Sequence, residues 1–215
     1  MKKLLVFTFA MFVSLAAFSQ THLYENPNFD KIAQNQKMIA VVPFKSTVKL
    51  RPKQMKDMKP DQLAKMEVSE GEGVQSAMYS WFLKREKRGE LTVKVQSPAI
   101  TNAKLKKAGI TYDNMDGYTP KEIAEALGVD AVVMGTFETN KPMSEGASVV
   151  LGVLVGFWGT TNKAVLNLSI YNGADNDLLV NYNKAVSGSL GSSTEDLVNK
   201  LMRKASRRIA YTKKG

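Results

Sequence analysis

Two stretches of the chain are close to unbroken in apolar character. Met38-Ile39-Ala40-Val41-Val42-Pro43-Phe44 is ended by its proline, and Val129 to Phe137 reads Val-Asp-Ala-Val-Val-Met-Gly-Thr-Phe. Each predicts a strand buried on both faces. Alternation marks three more strands. Leu91-Thr92-Val93-Lys94-Val95 is closed by Pro98, Ala164 to Tyr171 sets Leu166, Leu168 and Ile170 against Asn167 and Ser169, and Leu178 to Val186 returns after the turn Asn172 to Asp177 as the second arm of a hairpin.

Helical spacing begins at Asp61. Val74, Ala77, Met78, Trp81 and Phe82 recur three and four residues apart, Gly71 and Gly73 read as a kink or restart, and the cationic run Lys84 to Arg88 followed by Gly89 reads as a stop. A short helix is expected over Thr101 to Ala108. Thr119-Pro120-Lys121-Glu122 spells a capping box for another that ends at Gly128. Ser192 and Ser193, with Glu195 and Asp196 three residues on, open a last helix with the apolar stripe Leu197, Val198, Leu201, Met202, Ala205 and Ile209. Lys45 to Pro60 is basic and Met-rich and reads as an exposed connection. The succession predicts an α/β (α+β) fold, a mixed sheet of about five strands with helices packed on it.

The first residues belong to a different pattern. Lys2 and Lys3 precede an apolar stretch from Leu4 to Phe18, and Ala17 and Ser19 occupy the two positions a signal peptidase reads. The stretch falls short of the ~20 apolar residues of a membrane span, so residues 1–19 are expected to be a cleaved secretory signal. Residues 20–36 follow as a polar lead-in around Asn26-Pro27-Asn28, with one helical turn near Phe29 to Ala33. Residues 37–215 are expected to form a single domain with insertions at 45–73 and 140–162.

Composition narrows the chemistry. The 215 residues include 30 Lys+Arg, 20 Asp+Glu, no Cys and one His, a formal charge of +10 that falls to +8 once Lys2 and Lys3 are removed. Without cysteine there is no disulfide framework, zinc-thiolate site, cysteine nucleophile or cysteine lipidation. With His22 as the only imidazole, a Ser-His-Asp triad or multi-histidine metal site is not expected, nor is a cofactor. Glu70-Gly71-Glu72-Gly73 lacks the Lys-Ser/Thr of a phosphate loop. Gly188 to Gly191 opens a helix whose positive end Glu195 and Asp196 already occupy. Glu67, Glu70 and Glu72 could pair as acid and base, but solvated helix carboxylates are the commoner arrangement.

Three stretches considered together carry a family likeness: the strand Ile39 to Phe44, the junction Leu127-Gly128-Val129-Asp130-Ala131-Val132-Val133-Met134-Gly135, and the hairpin Leu168 to Leu179. In this order they resemble the periplasmic α/β superfamily that includes the curli-secretion protein CsgG, the amino-terminal domain of TolB and the lipoprotein activators of cell-wall synthases. The likeness covers roughly residues 37 to 211. It implies a TolB-N/CsgG-like fold and a non-enzymatic envelope protein that scaffolds, regulates or forms a secretion pore. The sequence departs from that pattern in having no lipobox cysteine and in the segment 45–73.

Two features stand out as candidate contact sites. Val149, Val150, Leu151, Gly152, Leu154, Gly156, Phe157 and Trp158 lie between two strands where a short loop would serve. As a helix this run reaches only about 20 Å of a ~30 Å hydrocarbon core, whereas a tilted strand spans with about 9–11 residues. Burial against the protein's own sheet, a partner contact and membrane insertion all stay open. The second feature is the last helix, where Lys200, Arg203, Lys204, Arg207 and Arg208 form a basic face opposite the apolar stripe, with no interleaved aromatics of the kind single-stranded nucleic acid needs. That face serves either solubility or an electrostatic dock for an anionic partner.

The sequence therefore predicts a non-enzymatic exported envelope protein of the periplasm, associated with the outer membrane or free of it, that acts as a binding or scaffolding adaptor. Its partners are expected to be an envelope protein or an anionic membrane surface, with a homo-oligomer also open. The alternatives are a membrane-associated oligomeric secretion or pore component and an unrecognised hydrolase.

Overall fold

The computed structural model describes residues 21–50, 55–56, 58–140, 163–187, 194–209 and 211–212. The strands are β1 (Thr21–Glu25), β2 (Met38–Val41), β3 (Lys45–Val48), β4 (Lys94–Gln96), β5 (Ala131–Thr139), β6 (Lys163–Asn172) and β7 (Leu178–Ser187). The helices are α1 (Phe29–Ala33), α2 (Pro60–Lys87), α3 (Pro98–Lys107), α4 (Pro120–Leu127) and α5 (Thr194–Arg208). All seven strands share one mixed sheet in the order β1-β7-β6-β5-β2-β4, with β3 also paired to β5. The fold is the expected α/β (α+β) one with a larger sheet.

The two additional strands have physical causes. β3 continues the line of β2 along β5: β2 pairs in parallel with Ala131–Val133 and β3 with Thr136–Thr139. Pro43 sits in the gap, where it has no amide to offer a ladder. The Val42 amide still reaches the Val133 carbonyl at 3.0 Å, but the Phe44 amide turns out of the sheet to the Gly71 carbonyl at 3.3 Å. Lys45 to Val48, read as connection from its basic composition, thereby rejoins the sheet. β1 lies in the polar lead-in and is held by a full antiparallel register to β7, from Thr21 opposite Lys184 to Glu25 opposite Val180.

Gly71 does not interrupt α2, which runs continuously from Pro60 to Lys87. The glycine answers a packing demand instead. A Cβ at that position would lie 2.1 Å from the Phe44 carbonyl oxygen and 2.9 Å from Cε2 of Tyr112, so only a bare backbone lets the helix approach the broken strand. The Tyr112 hydroxyl closes the same junction by donating to the Glu67 carbonyl at 3.2 Å and accepting from the Ser46 amide at 2.7 Å.

Helices cover the sheet unequally. On one face α2 and α5 bury Val74, Met78, Phe82, Leu197, Leu201 and Met202 against Ile39, Val41, Val133, Leu166, Leu168, Ile170 and Tyr182. On the other, α3 and α4 bury Leu105, Ile123, Ala124 and Leu127 against Ala40, Val42 and Val132. The Thr119 capping box forms as its spelling predicts, the Glu122 amide donating to the Thr119 hydroxyl while the Thr119 amide donates to Glu122 at 2.7 Å. Past α4 this second face is polar. Thr136, Asn167, Asn183 and His22 form one cross-strand row, and Met134, Ser169, Asn181 and Tyr24 the next. Asn181 donates to Asn167 at 3.1 Å and to Ser169 at 3.0 Å.

The two ends of the described chain meet. Tyr211 packs edge-on against Phe29 with ring centroids 5.0 Å apart, and its hydroxyl donates to the Gln36 side-chain carbonyl. Gln36 in turn donates to Asn172 at 3.0 Å, and the Asp130 carboxylate accepts from the Lys37 and Met38 amides at 2.6 and 2.8 Å. This buried network orders the expected helical turn at Phe29–Ala33 and gives it a neighbour on which to pack.

The close contact at Gly71 generates a prediction. Gly71→Ala will cost about 1–3 kcal/mol, because the added methyl forces α2 away from the Phe44 carbonyl faster than helix propensity compensates. Urea unfolding is the measurement, and unchanged or increased stability would contradict the packing described.

Candidate functional site

The last helix keeps its cations and its apolar stripe on opposite sides. Leu197, Val198, Leu201, Met202 and Ala205 are buried, and Lys200, Arg203, Lys204, Arg207 and Arg208 are all exposed on the opposite side of α5. The carboxyl ends of α5 and α2 lie at the same end of the molecule, because the chain leaving α5 bridges back through Thr212 to Leu91 and through the Tyr211 carbonyl to the Thr92 amide at 3.0 Å. Two helix ends carrying partial negative charge thus share one cluster of cations.

Near the end of α2 the cations are partly matched. Arg85 pairs with Glu90 at 2.6 Å, Lys94 with Glu86 at 2.5 Å, and Lys84 lies 4.1 Å over the Trp81 ring. The bond from Arg85 holds the Glu90 carboxyl below its usual range, and the charges of Arg88 and Arg207 add to the effect. The salt bridges among the described residues join Lys45–Asp116, Lys49–Glu138, Lys65–Asp61, Arg85–Glu90 and Lys94–Glu86, so none uses a cation of α5.

The structure adds a member that composition did not disclose. Lys184 lies on the α5 side of β7, 5% exposed, and its ammonium donates to the Thr21 hydroxyl. Burial holds that ammonium below the ordinary lysine value of 10.5, and the charges of Lys204 and Arg208 push in the same direction. The charges of the face therefore act on two different groups: that of Arg207 on Glu90, beyond the end of α2, and those of Lys204 and Arg208 on Lys184 of β7. One signal in the sequence would have found Lys184, since it occupies an inward position in the alternation Tyr182, Lys184, Val186.

The second sequence-derived site, Val149, Val150, Leu151, Gly152, Leu154, Gly156, Phe157 and Trp158, lies outside the described residues. Its place in the topology is defined: β5 and β6 pair out to Thr139 opposite Ala164, so the segment joins two long antiparallel strands. Gly188 to Gly191 also lies outside the described residues. The glutamates of α2 are not assembled as an acid–base pair, because Glu67 accepts from the Val48 amide at 3.2 Å, Glu70 is buried and Glu72 is exposed. His22 stands exposed in β1. Among the described residues no group of three or more His, Cys, Asp or Glu could hold a metal ion, and no helix is long and apolar enough to cross a membrane.

The described residues include two concave regions. A cleft of about 700 Å³ is lined by Asn28, Lys31, Gln36, Asp130, Asn172 and Gly173, and of these Gln36, Asp130 and Asn172 are engaged in the network described above. A groove of about 340 Å³ crosses the polar sheet face beside Thr136, Asn167 and Ser169, with the 3.2 Å Lys45–Asp116 pair at its rim.

No protein-family model matches the sequence, and no curated protein matches it. Among solved structures the chain is similar to the PelC dodecamer from Paraburkholderia phytofirmans, with 8% identity, a TM-score of 0.43, and coverage of 87% of this chain and 94% of that one. It is similar to the lipoprotein GNA1162 from Neisseria meningitidis, with 15% identity, a TM-score of 0.43, and coverage of 80% and 96%. For the C-terminal domain of LpoB from Salmonella enterica the identity is 12%, the TM-score 0.33 and the coverage 75% and 94%.

Lys184 yields a pH-dependent prediction. Below its lowered folded-state value both folded and unfolded chains hold the proton, and the cost of burying it is carried in full. Between that value and 10.5 the folded chain has released a proton the unfolded chain still binds, so rising pH relieves the cost. Lys184→Met will therefore raise the melting temperature at neutral pH by about 2–4 °C, the shift roughly 1 kcal/mol gives in a protein of this size. The advantage will narrow as pH rises toward 10.5. A variant that melts lower than the parent at neutral pH would contradict this.

Proposed function

We propose that this chain is a non-enzymatic exported envelope protein that works as a binding or scaffolding adaptor, with the basic end of α2 and α5 as its docking surface. The observation that carries the reading is the set of exposed α5 cations, which the salt bridges among the described residues do not use, above a stripe that is fully used in the core. A face that contributes nothing to packing and concentrates one sign of charge raises the local concentration of anionic partners. In an envelope those partners are an acidic protein face or an anionic membrane surface. The secretory pattern of residues 1–19 and the +8 charge of the remainder support the same reading. The resemblance to the superfamily of CsgG, TolB and the cell-wall-synthase activators is part of this proposal.

In this reading Val149 to Trp158 is a second contact surface. The alternative, a membrane-associated oligomeric pore component, is favoured by one observation. The apolar segment is the connection of the long β5–β6 hairpin, the place from which a strand pair would extend into a bilayer.

Vesicle co-sedimentation tests the docking surface. The triple variant Lys200→Glu, Arg203→Glu, Arg207→Glu will lower binding to vesicles rich in anionic phospholipid about tenfold or more while keeping the parent melting temperature, since exposed charges add little to stability. Binding by the parent will fall as salt is raised, because charges beyond about 8–10 Å are screened at physiological ionic strength. Equal binding by parent and variant to these vesicles, and to envelope proteins crosslinked in native cells, would overturn the proposal.

Val150→Ser, Leu154→Ser, Phe157→Ser tests the apolar segment. If it is a contact surface, the variant keeps its fold and loses association. Unfolding, at roughly 2–5 kcal/mol for each buried side chain lost, would place the segment in the core. Conductance in planar bilayers by the parent would favour the pore.

A further inference from the structure

β1 is the last strand of an open sheet, and its outer edge meets no other described strand. Sheet edges are ordinarily blunted by proline, lysine or a bulge. Thr21-His22-Leu23-Tyr24-Glu25 has none of these. Four of its residues are exposed, including Leu23 at 41% and Tyr24 at 46%, both among the largest exposed apolar side chains described. Such an edge is a template for another extended strand.

Charge selects the strand. Thr21, Leu23 and Glu25 stand opposite Lys184, Tyr182 and Val180, so they share the α5 side of the sheet, while His22 and Tyr24 share the polar side with Asn183 and Asn181. The one carboxylate of β1, Glu25, is thus on the α5 side. At the other end of that side lies a cluster of cations: Lys184 bonded to the Thr21 hydroxyl, with Lys204 and Arg208 within electrostatic reach of it.

We infer that two copies of this chain join antiparallel through β1, with Leu23 opposite Leu23 on the two-fold axis. This is the one antiparallel register that pairs all five residues. It sets His22 opposite Tyr24 and Thr21 opposite Glu25, so that Glu25 of the second copy arrives at the Thr21 hydroxyl to which Lys184 donates. Directly opposed residues in a sheet have Cβ atoms about 4.5–5.5 Å apart, within reach of that ammonium and of the α5 cations beyond it. By symmetry the contact is made twice, and an isologous pairing of this kind closes at the dimer. The result is one continuous sheet of two copies, with Lys200, Arg203 and Arg207 of each left free for the docking role. The inference stands independently of that role.

A five-residue edge buries little, which places the dimer among weak interfaces with dissociation constants on the order of micromolar. Sedimentation equilibrium of the purified exported chain, from low micromolar to a few hundred micromolar, will show a monomer–dimer equilibrium. The chain contains no cysteine, so Leu23→Cys supplies a single reporter that will oxidise to a covalent dimer. Leu23→Lys will be monomeric with the parent melting temperature. Glu25→Lys will weaken dimerisation about tenfold, and adding Lys204→Glu and Arg208→Glu to it will restore dimerisation. A monomer at every concentration, a dimer indifferent to Leu23→Lys, or open-ended assemblies that grow with concentration would each overturn the inference. Vesicle binding by Leu23→Lys at the parent level keeps its failure distinct from failure of the docking proposal.

Discussion

The amide of Phe44 has lost its place in the sheet, and its bond to the Gly71 carbonyl, 3.3 Å long, determines how the largest helix lies. A proline in a central strand removes one ladder bond, and a buried amide left without an acceptor would cost more than the bond itself contributes. The chain resolves this by bringing a helix carbonyl to the gap, which requires the helix backbone to touch the strand. The rest of that face follows. α2 crosses β2 and β3 at the break, its apolar stripe meets the centre of the sheet, and the remaining width over β6 and β7 is left for α5. A helix seated there must turn its polar side to solvent, so the cations of α5 owe their position to a strand break several strands away in the same sheet.

What could be read from the sequence depended on how local the cause was. β5, β6, β7 and the stripe of α5 were legible because their periodicity is set by one buried face, and the Thr119 capping box because donor and acceptor lie three residues apart. β1 and β3 were not, since neither owes its conformation to its own pattern. β3 is a strand because β5 continues past the proline, and β1 because β7 offers an edge. Gly71 reads in the sequence as a kink or restart, whereas its true constraint is size, a property visible only once Phe44 is beside it.

The candidate site shows the same division. The five cations of α5 can be placed on one side of the helix by counting in a helical wheel, and all five are exposed. Lys184 was hidden because a lysine in an alternating strand is assumed to face solvent, whereas here it points toward α5 and is covered. Its position divides the influence of the basic face, since the charges of Lys204 and Arg208 act on Lys184 and that of Arg207 on Glu90.

The bond between Tyr211 and Gln36 joins residues 175 positions apart. Loop closure over such a span is slow, and no shorter contact can substitute for it, because Gln36 also satisfies Asn172 at the far end of β6. The cleft around α1 therefore cannot close until the segment beyond α5 has docked against it. Tyr211 also packs on Phe29, so α1, a helix too short to hold itself together, owes its order to contacts between segments far apart in sequence.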